Sequence, residues 1–346
     1  MASCCKPNRI FFTGSKTPNG KNEIIFVNCA KDKVDTVQTQ HRCNGKVYDI
    51  TLTEYIEVPC GKCEECKATQ ARQKAVKAMA EANTWEHNEV INLTYNNEHL
   101  PMNTLANGKK VATLRYSDVQ KFKKSLLKYY KEHYNQTGLK FMCACEYGEK
   151  YQRPHYHLIM FNMECKDKEF WCYTKKGEKQ FRSKEIEQLW KHGNVTLGEV
   201  TPNTIHYVAN YCVKKFKGRN AKGYYKQKGI EPESVKSSNQ RGLGALYFDK
   251  HKAEYMEHGK INVGTEHGIQ TIGTNAYFDK LLANEYGDKL LEEIKTKRRK
   301  LNQQRETTRA FITGITVEEQ REVEHKQFVE KIKSTKQRKF KELGQT

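Results

Sequence analysis

The chain has 346 residues, with 61 Lys and Arg against 41 Asp and Glu, a formal charge of +20. Hydrophobic residues make up 37% and the mean hydropathy is −0.88, which suits a core of roughly 200 residues carrying charged extensions. No apolar run approaches the roughly 18–20 residues of a membrane span and no signal-peptide pattern is present, so the expectation is a soluble, intracellular protein without a membrane partner. The charge points to a polyanion, nucleic acid before an anionic membrane. The 12 cysteines then read as thiols or zinc ligands rather than disulfides.

In chain order, residues 1–58 read as short strands (10–13, 23–27 and 47–58) between Gly, Asn and Pro. Cys60, Cys63 and Cys66 form a C-x-x-C-x-x-C array at the start of a helix expected over 63–84. That spacing suits a structural zinc, which needs four ligands; the fourth is open between Cys4, Cys5, Cys29 and Cys43. The competing reading is three free thiols, and nothing else suggests the electron transfer an iron–sulfur cluster would serve. Lys67, Arg72, Lys74 and Lys77 give the helix a basic face, read as solvated, with phosphate contact as the alternative. A strand is expected over 89–95. Ser117 with Gln120 reads as a capping box opening a helix to about residue 134, apolar at Val119, Phe122, Leu126 and Leu127.

A strand over 139–145, ending at Glu146, is followed by a hairpin connection over 147–152 and then by Arg153-Pro154-His155-Tyr156-His157 and an apolar run. Two histidines one residue apart on a strand point to the same face. Their imidazoles can chelate a metal, and Glu146 falls roughly opposite them. The result is a His, His, carboxylate site with positions left for water or a phosphate. Cys143, Cys145 and Cys212 sit in apolar runs and read as core residues.

Residues 162–182 read as a polar insertion, 183–190 as a short helix and 194–200 as a strand. Thr201-Pro202 opens another helix, with Thr as N-cap and Pro first, and Gly218 closes it. Its apolar stripe is Ile205, Val208, Ala209, Cys212, Val213 and Phe216. Tyr207 and Tyr211 are neighbours on a face turned away from that stripe; Lys214 shares the face and Lys215 lies at its edge. The functional reading is two phenolic nucleophiles with lysines to neutralise a phosphate, against surface aromatics without a role. Residues 274–346 read as helices, with Leu281, Leu282, Leu290, Leu291 and Ile294 as one apolar set and a basic cluster over 295–300. Beyond about residue 307 a long solvated, partly disordered helix is expected.

Three ordered blocks carry a resemblance. Ile91-Asn92-Leu93-Thr94-Tyr95 with Glu98-His99-Leu100-Pro101, then Glu146-Tyr147-Gly148-Glu149 with Arg153 to His157, then Tyr207-Val208-Ala209-Asn210-Tyr211-Cys212-Val213-Lys214-Lys215 resemble the motifs of microvirus replication initiation proteins, most closely the gokushovirus branch. These belong to the HUH (His-hydrophobic-His) endonucleases. Pro59 to Cys63, Asn239 to Gly244 and Tyr277 to Lys280 also look like that family, so the resemblance covers roughly residues 1–300. It departs in the Cys after the second tyrosine and in the lysine-rich C-terminal end. The resemblance implies an α+β fold, a central antiparallel sheet carrying His155 and His157 with the tyrosine helix beside it. It also implies a divalent Mg²⁺ or Mn²⁺ on Glu146, His155 and His157, and nicking of one strand of phage origin DNA by Tyr207 and Tyr211, with Lys214 and Lys215 assisting. Its setting would be the host bacterial cytoplasm, with a host helicase and DNA polymerase as partners, since the chain has no G-x-x-x-x-G-K-[ST] element.

The expected organisation is a strand and cysteine region over 1–66, a nuclease core over 67–260 and a helical extension over 261–346. The extension reads as a solubilising tail, a nonspecific DNA arm or a replisome contact. Two other functions compete: a plasmid relaxase or transposase with the same metal site, and a noncatalytic basic zinc protein that binds nucleic acid. The second explains the charge and the cysteines but not the arrangement of Glu146, the two histidines and the two tyrosines.

Overall fold

A computed structural model of the chain describes residues 4–342 apart from 5–6, 21, 29–33, 44–45, 149, 175–176, 215–219, 266–267 and 273–274. The chain opens with β1 (Asn8–Lys16), β2 (Asn22–Val27), β3 (Val37–Cys43), β4 (Lys46–Leu52), β5 (Tyr55–Val58) and α1 (Glu64–Ala82). Next come β6 (Asn88–Thr94), β7 (Met102–Thr104), β8 (Lys110–Ala112), α2 (Tyr116–Tyr134), β9 (Lys140–Tyr147) and β10 (Pro154–Phe161). They are followed by β11 (Glu169–Tyr173), β12 (Lys179–Arg182), α3 (Lys184–Trp190), β13 (Val195–Glu199), α4 (Pro202–Lys214), α5 (Ala221–Lys228), β14 (Ser234–Ser237) and α6 (Ala245–His258). The last elements are β15 (Ile261–Thr265), β16 (Gly268–Ile272), α7 (Ala276–Tyr286), α8 (Asp288–Thr313) and α9 (Val317–Glu342). No described helix is long and apolar enough to cross a membrane.

The chain packs as two compact units, residues 1–69 with 307–346, and residues 70–306. In the first, β2, β1 and β5 form an antiparallel sheet and β3 pairs with β4. Residues 47–58, expected as one strand, are therefore two, one in each sheet. Phe11 is fully buried against Tyr55, over whose ring the Arg9 guanidinium also lies.

The second unit is built on an antiparallel sheet of seven strands in the order β11-β12-β13-β6-β10-β9-β14. The expected α+β class with a central antiparallel sheet is what the chain adopts. Alternation along each strand splits the apolar residues between two cores. Ile159 and Phe161 of β10, Met142 and Ala144 of β9 and Val90 of β6 pack with residues of α1, α4, α6, α7 and α8. Tyr156, Leu158 and Met160, Cys143 and Cys145, and Ile91 and Leu93 pack on the other face with α2 and α3. Cys143 and Cys145 are buried as expected, as are Leu282, Leu291 and Ile294.

Four local expectations change. Residues 162–182 are not a free insertion: β11 and β12 extend the central sheet, and Asp167 accepts from Ser183 Oγ and the backbone N–H of Glu185, tying the segment to the start of α3. Ser117 does not cap α2, because the helix begins at Tyr116 with Arg115, two residues before Ser117, in the N-cap position and no side-chain cap bond. Leu127 faces solvent instead of the core. The basic residues of α1 are partly buried rather than solvated; burial lowers the pKa of Arg72 and Lys77, and Lys77 lies over the Tyr277 ring. One buried carboxylate anchors α1 in this unit: Glu81, fully buried, accepts from Trp85 Nε1 (2.7 Å), Lys140 Nζ (3.1 Å) and Gly244 N (2.7 Å). Two of these donors are neutral and one is charged, so the carboxylate keeps partners for both oxygens without water.

Candidate active site

The turn between β9 and β10 decides where the histidines go. Gly148 N donates to Arg153 O (2.9 Å) and Gln152 N to Gly148 O (3.0 Å), with Gln152 in the left-handed region at φ 50°. A Cβ on Gly148 would stand 3.0 Å from Cε1 of His155, so this glycine leaves the imidazole its room. The register that follows sets His155 opposite Glu146 and His157 opposite Ala144 on one side, and His157 opposite Asn92 on the other. Since neighbouring residues on a face are two apart, Glu146, His155, His157 and Asn92 all project from the same face.

The side chains converge. Nε2 of His155 and Nε2 of His157 both lie 2.9 Å from Glu146 Oε1. The other ring nitrogens are committed: His155 Nδ1 donates to Arg153 O (3.1 Å) and His157 Nδ1 donates to Asn92 Oδ1 (2.6 Å). A carbonyl oxygen can only accept, so each Nδ1 carries a hydrogen, and a ring with no second proton turns an Nε2 lone pair toward the carboxylate. Asn92 is oriented by its own Nδ2, which donates to Thr196 Oγ1 (3.2 Å). Two lone pairs facing a carboxylate oxygen repel unless a proton or a cation lies among them. The nitrogen and oxygen atoms, all within 4.8 Å of one another, thus suit a divalent cation with its outer shell already in place. Glu146 is buried, while His155 and His157 keep some exposure, so the site is reachable from one side.

The tyrosine helix covers this face. Thr201 Oγ1 accepts from Thr204 N (3.2 Å) and Pro202 occupies the first turn, as expected for its start. Tyr211 stacks on His157, with ring centroids 5.2 Å apart and planes within 3°. Tyr207 meets the same imidazole edge-on at 5.5 Å and Tyr211 at 4.9 Å. The expectation that both tyrosines turn away from the core holds only for Tyr207, which is 50% exposed; Tyr211 is 2% exposed. Of the apolar stripe, Ile205, Val208 and Ala209 are buried as expected, and Tyr211 joins the same buried cluster against the sheet. Burial, then the charge of Glu146 and the neighbouring Tyr207, push the Tyr211 phenol well above the usual tyrosine value, and it is hydrogen-bonded to both.

Other expected site residues divide. Lys214 ends α4, but its side chain and all of Lys215 lie outside the described residues, as do Gly218 and the side chain of Cys212. Cys60, Cys63 and Cys66 come together in the first unit, joined by Cys4, with all four sulfurs within 4.8 Å of one another. Of the other candidate fourth ligands, Cys5, Cys29 and the side chain of Cys43 lie outside the described residues. Sequence reading missed Asn92 as a support. Its signal is a polar residue in the inward register of the apolar run Val90 to Leu93. It also missed Arg153, whose guanidinium donates to Tyr95 O and Asn97 Oδ1 (both 2.9 Å) and fixes the chain just before the histidines.

Comparison with known proteins matches the segment that carries this site. Residues 88–216, from β6 to just past α4, match the family model for replication-associated proteins of the ORF2 type. The chain is 33% identical over 239 residues to the replication-associated protein ORF2 of Spiroplasma virus 4, covering 68% of this chain and 71% of that protein. It is 32% identical to the replication-associated protein VP4 of Bdellovibrio phage phiMH2K, over 59% of this chain and 61% of the relative. For the replication-associated protein ORF4 of Chlamydia phage 1 the identity is 33%, over 59% and 49% of the two chains. No solved structure matches. The matched segment is the one that carries Asn92, Glu146, His155, His157, Tyr207 and Tyr211, and with relatives aligned over most of their length the chain belongs to the microvirus-type replication-associated proteins.

Proposed function

We propose that the chain initiates rolling-circle replication of a single-stranded DNA phage by nicking one strand at the origin and later rejoining it. The observation that carries this is the placement of two tyrosines, one helical turn apart, against the Glu146–His155–His157 group. The mixed donor set fits a divalent cation, and two imidazoles favour Mn²⁺ over Mg²⁺. A bound cation would supply charge stabilisation at the scissile phosphate.

The chain's residues do the rest. A phenol is a weak nucleophile near neutral pH, with a pKa of about 10, so position must do much of the activation. The exposed Tyr207 acts first: its Oη bonds to phosphorus as the phenol proton passes to water, the bond from phosphorus to the 3′ oxygen breaks, and that oxygen takes a proton from water to become a free 3′-OH. The strand stays on the protein as a 5′-phosphotyrosyl ester, which keeps the phosphodiester energy for rejoining. Tyr211, held protonated behind Tyr207, serves the second cut once the first phenol is occupied. The released 3′-OH then attacks the first ester and closes the circle. Lys214 and Lys215 are assigned to phosphate neutralisation. Extension of the 3′ end and unwinding fall to a host polymerase and helicase in the bacterial cytoplasm, and origin binding weakens steeply with salt.

The test is a covalent-adduct assay on single-stranded oligonucleotides spanning the phage genome, with Mn²⁺ and with EDTA. A metal-dependent protein–DNA band is expected. It should be lost in Tyr207→Phe and in the Tyr207→Phe/Tyr211→Phe double variant, while Tyr211→Phe keeps the first adduct but fails to close circles. A double variant that keeps both adduct and closure ends this reading. Tight, salt-sensitive binding without cleavage favours the noncatalytic nucleic-acid-binding protein.

A further inference from the structure

The cysteine group at the head of α1 has a geometry of its own. Cys4 and Cys63 bring their sulfurs to 3.8 Å, and Cys60 and Cys66 bring theirs to 3.9 Å. A tetrahedral zinc with bonds of about 2.3 Å requires sulfurs about 3.8 Å apart along each edge. Disulfides are excluded, since a bonded pair stands at about 2.05 Å and all four cysteines are free thiols. The spacing also leaves no room for the inorganic sulfides of a polynuclear iron–sulfur cluster.

The backbone around the group is arranged for thiolates. Lys62 N and Cys63 N both donate to Cys60 Sγ at 3.4 Å, and Cys60 N donates to Cys4 Sγ at 3.3 Å. Gly61, at φ 71°, makes the reversal that aims the first two of these N–H groups. Neutral thiols are weak acceptors and gain little from such bonds, whereas metal-bound thiolates use them as their supporting shell. Cys66 is buried and the other three are partly so.

We propose that Cys4, Cys60, Cys63 and Cys66 hold one structural Zn²⁺ in a closed tetrahedral site. Four protein ligands leave no position for substrate, so the site is structural rather than catalytic. The ion ties the first residues of the chain, 56 positions upstream of Cys60, to the start of α1. The same turn reaches the C-terminal helix. Glu65 is buried, hydrogen-bonded to Cys63 and paired with His325 of α9. The zinc thus ties Cys4 to the turn whose Glu65 meets α9, and α9 is a built part of the first unit rather than a tail.

Elemental analysis of the full-length protein, purified without added metal, should find one zinc per chain. X-ray absorption should show four sulfur neighbours at about 2.3 Å. Titrating the unmodified protein with a mercurial should release that zinc in step with four thiols. Refilling the metal-free protein with Co²⁺ should produce sulfur-to-metal charge-transfer absorption. Cys4→Ser should lower zinc affinity at least tenfold, while Cys172→Ser, a control outside the group, should keep it. Metal removal should speed proteolysis within 1–69 and 307–346 more than within 70–306. Stoichiometric iron in place of zinc, a metal-free protein that takes up neither Zn²⁺ nor Co²⁺, or a Cys4→Ser protein with unchanged zinc affinity would overturn the proposal. None of these readouts depends on nicking.

Discussion

Four consecutive residues of β10, His155 to Leu158, pass alternately between two environments. His155 and His157 point to a face that is apolar at Ile159 and Phe161 but ends in Glu146, Asn92 and the tyrosines of α4. Tyr156 and Leu158 point to a face that α2 and α3 seal, where both are fully buried. Polar groups on the sealed face pair with each other: Tyr156 Oη lies 3.2 Å from Tyr95 Oη and accepts from Arg115 N at 2.8 Å, and Tyr95 Oη donates to Asp118 at 2.9 Å. On the other face the imidazole nitrogens and the carboxylate turn toward one another in a way that calls for a cation. One pleated strand therefore separates chemistry from support at single-residue spacing, and the two faces answer differently to the same kind of substitution.

The sharpest contrast is between neighbours. His157→Ala or Glu146→Ala should lower metal-dependent nicking by about a thousandfold or more, the equivalent of several kcal/mol of transition-state stabilisation. The change in urea midpoint should be small. A variant that nicks normally when fully folded would erase the distinction between the faces. Leu158→Ala should do the reverse, costing about 2–5 kcal/mol of stability through lost burial and the cavity left behind. Its nicking rate per folded molecule should stay near that of the parent, and a loss beyond the unfolded fraction would show that the sealed face also takes part in the chemistry.

Asn92 refines the comparison, because it stands on the face of the candidate site without joining the donor set. Asn92→Ala should weaken Mn²⁺ binding about 10–100-fold by releasing the His157 tautomer, measured by calorimetry on the DNA-free protein. Asn92→Asp should recover part of that loss, since a carboxylate also accepts from Nδ1. The smallest effect concerns helix starts beneath the sealed face. Ser183 caps α3, accepting from Ile186 N at 3.1 Å, so Ser183→Ala should cost about 1 kcal/mol. Ser117 makes no cap bond at the start of α2, and Ser117→Ala should stay within about 0.5 kcal/mol. Equal losses at the two serines would show that the start of α2 differs from the one described.

Much of the candidate site is legible in residue order. The Glu146 hairpin, the His-x-His strand and the Thr201-Pro202 helix start depend on short-range rules: strand alternation, turn residues and capping. Those interactions act within a few residues and leave their mark on composition. Residues 162–182 read wrongly because the lysines and Gly177 around them set the average composition, although Phe170, Trp171, Cys172 and Tyr173 are β-prone residues that mark a strand. The capping box at Ser117 failed although its pattern is present: the N-cap position falls two residues earlier, at Arg115.

Length, charge, the absence of a long apolar run and the order of the motifs were determined by the sequence by itself. So was the His, His, carboxylate group, because Glu146 and the two histidines lie within one hairpin; the approach of the two tyrosines was implied by the family resemblance alone and depends on α4 packing over the sheet. Only the tertiary structure decided that Tyr211 is enclosed while Tyr207 is exposed, that Asn92 completes the support of His157, and that Cys4 is the partner of Cys60, Cys63 and Cys66. Each of these depends on elements distant in sequence meeting across the sheet or the first unit. Burial and ligand geometry arise at such meetings, where no local pattern in the chain records them.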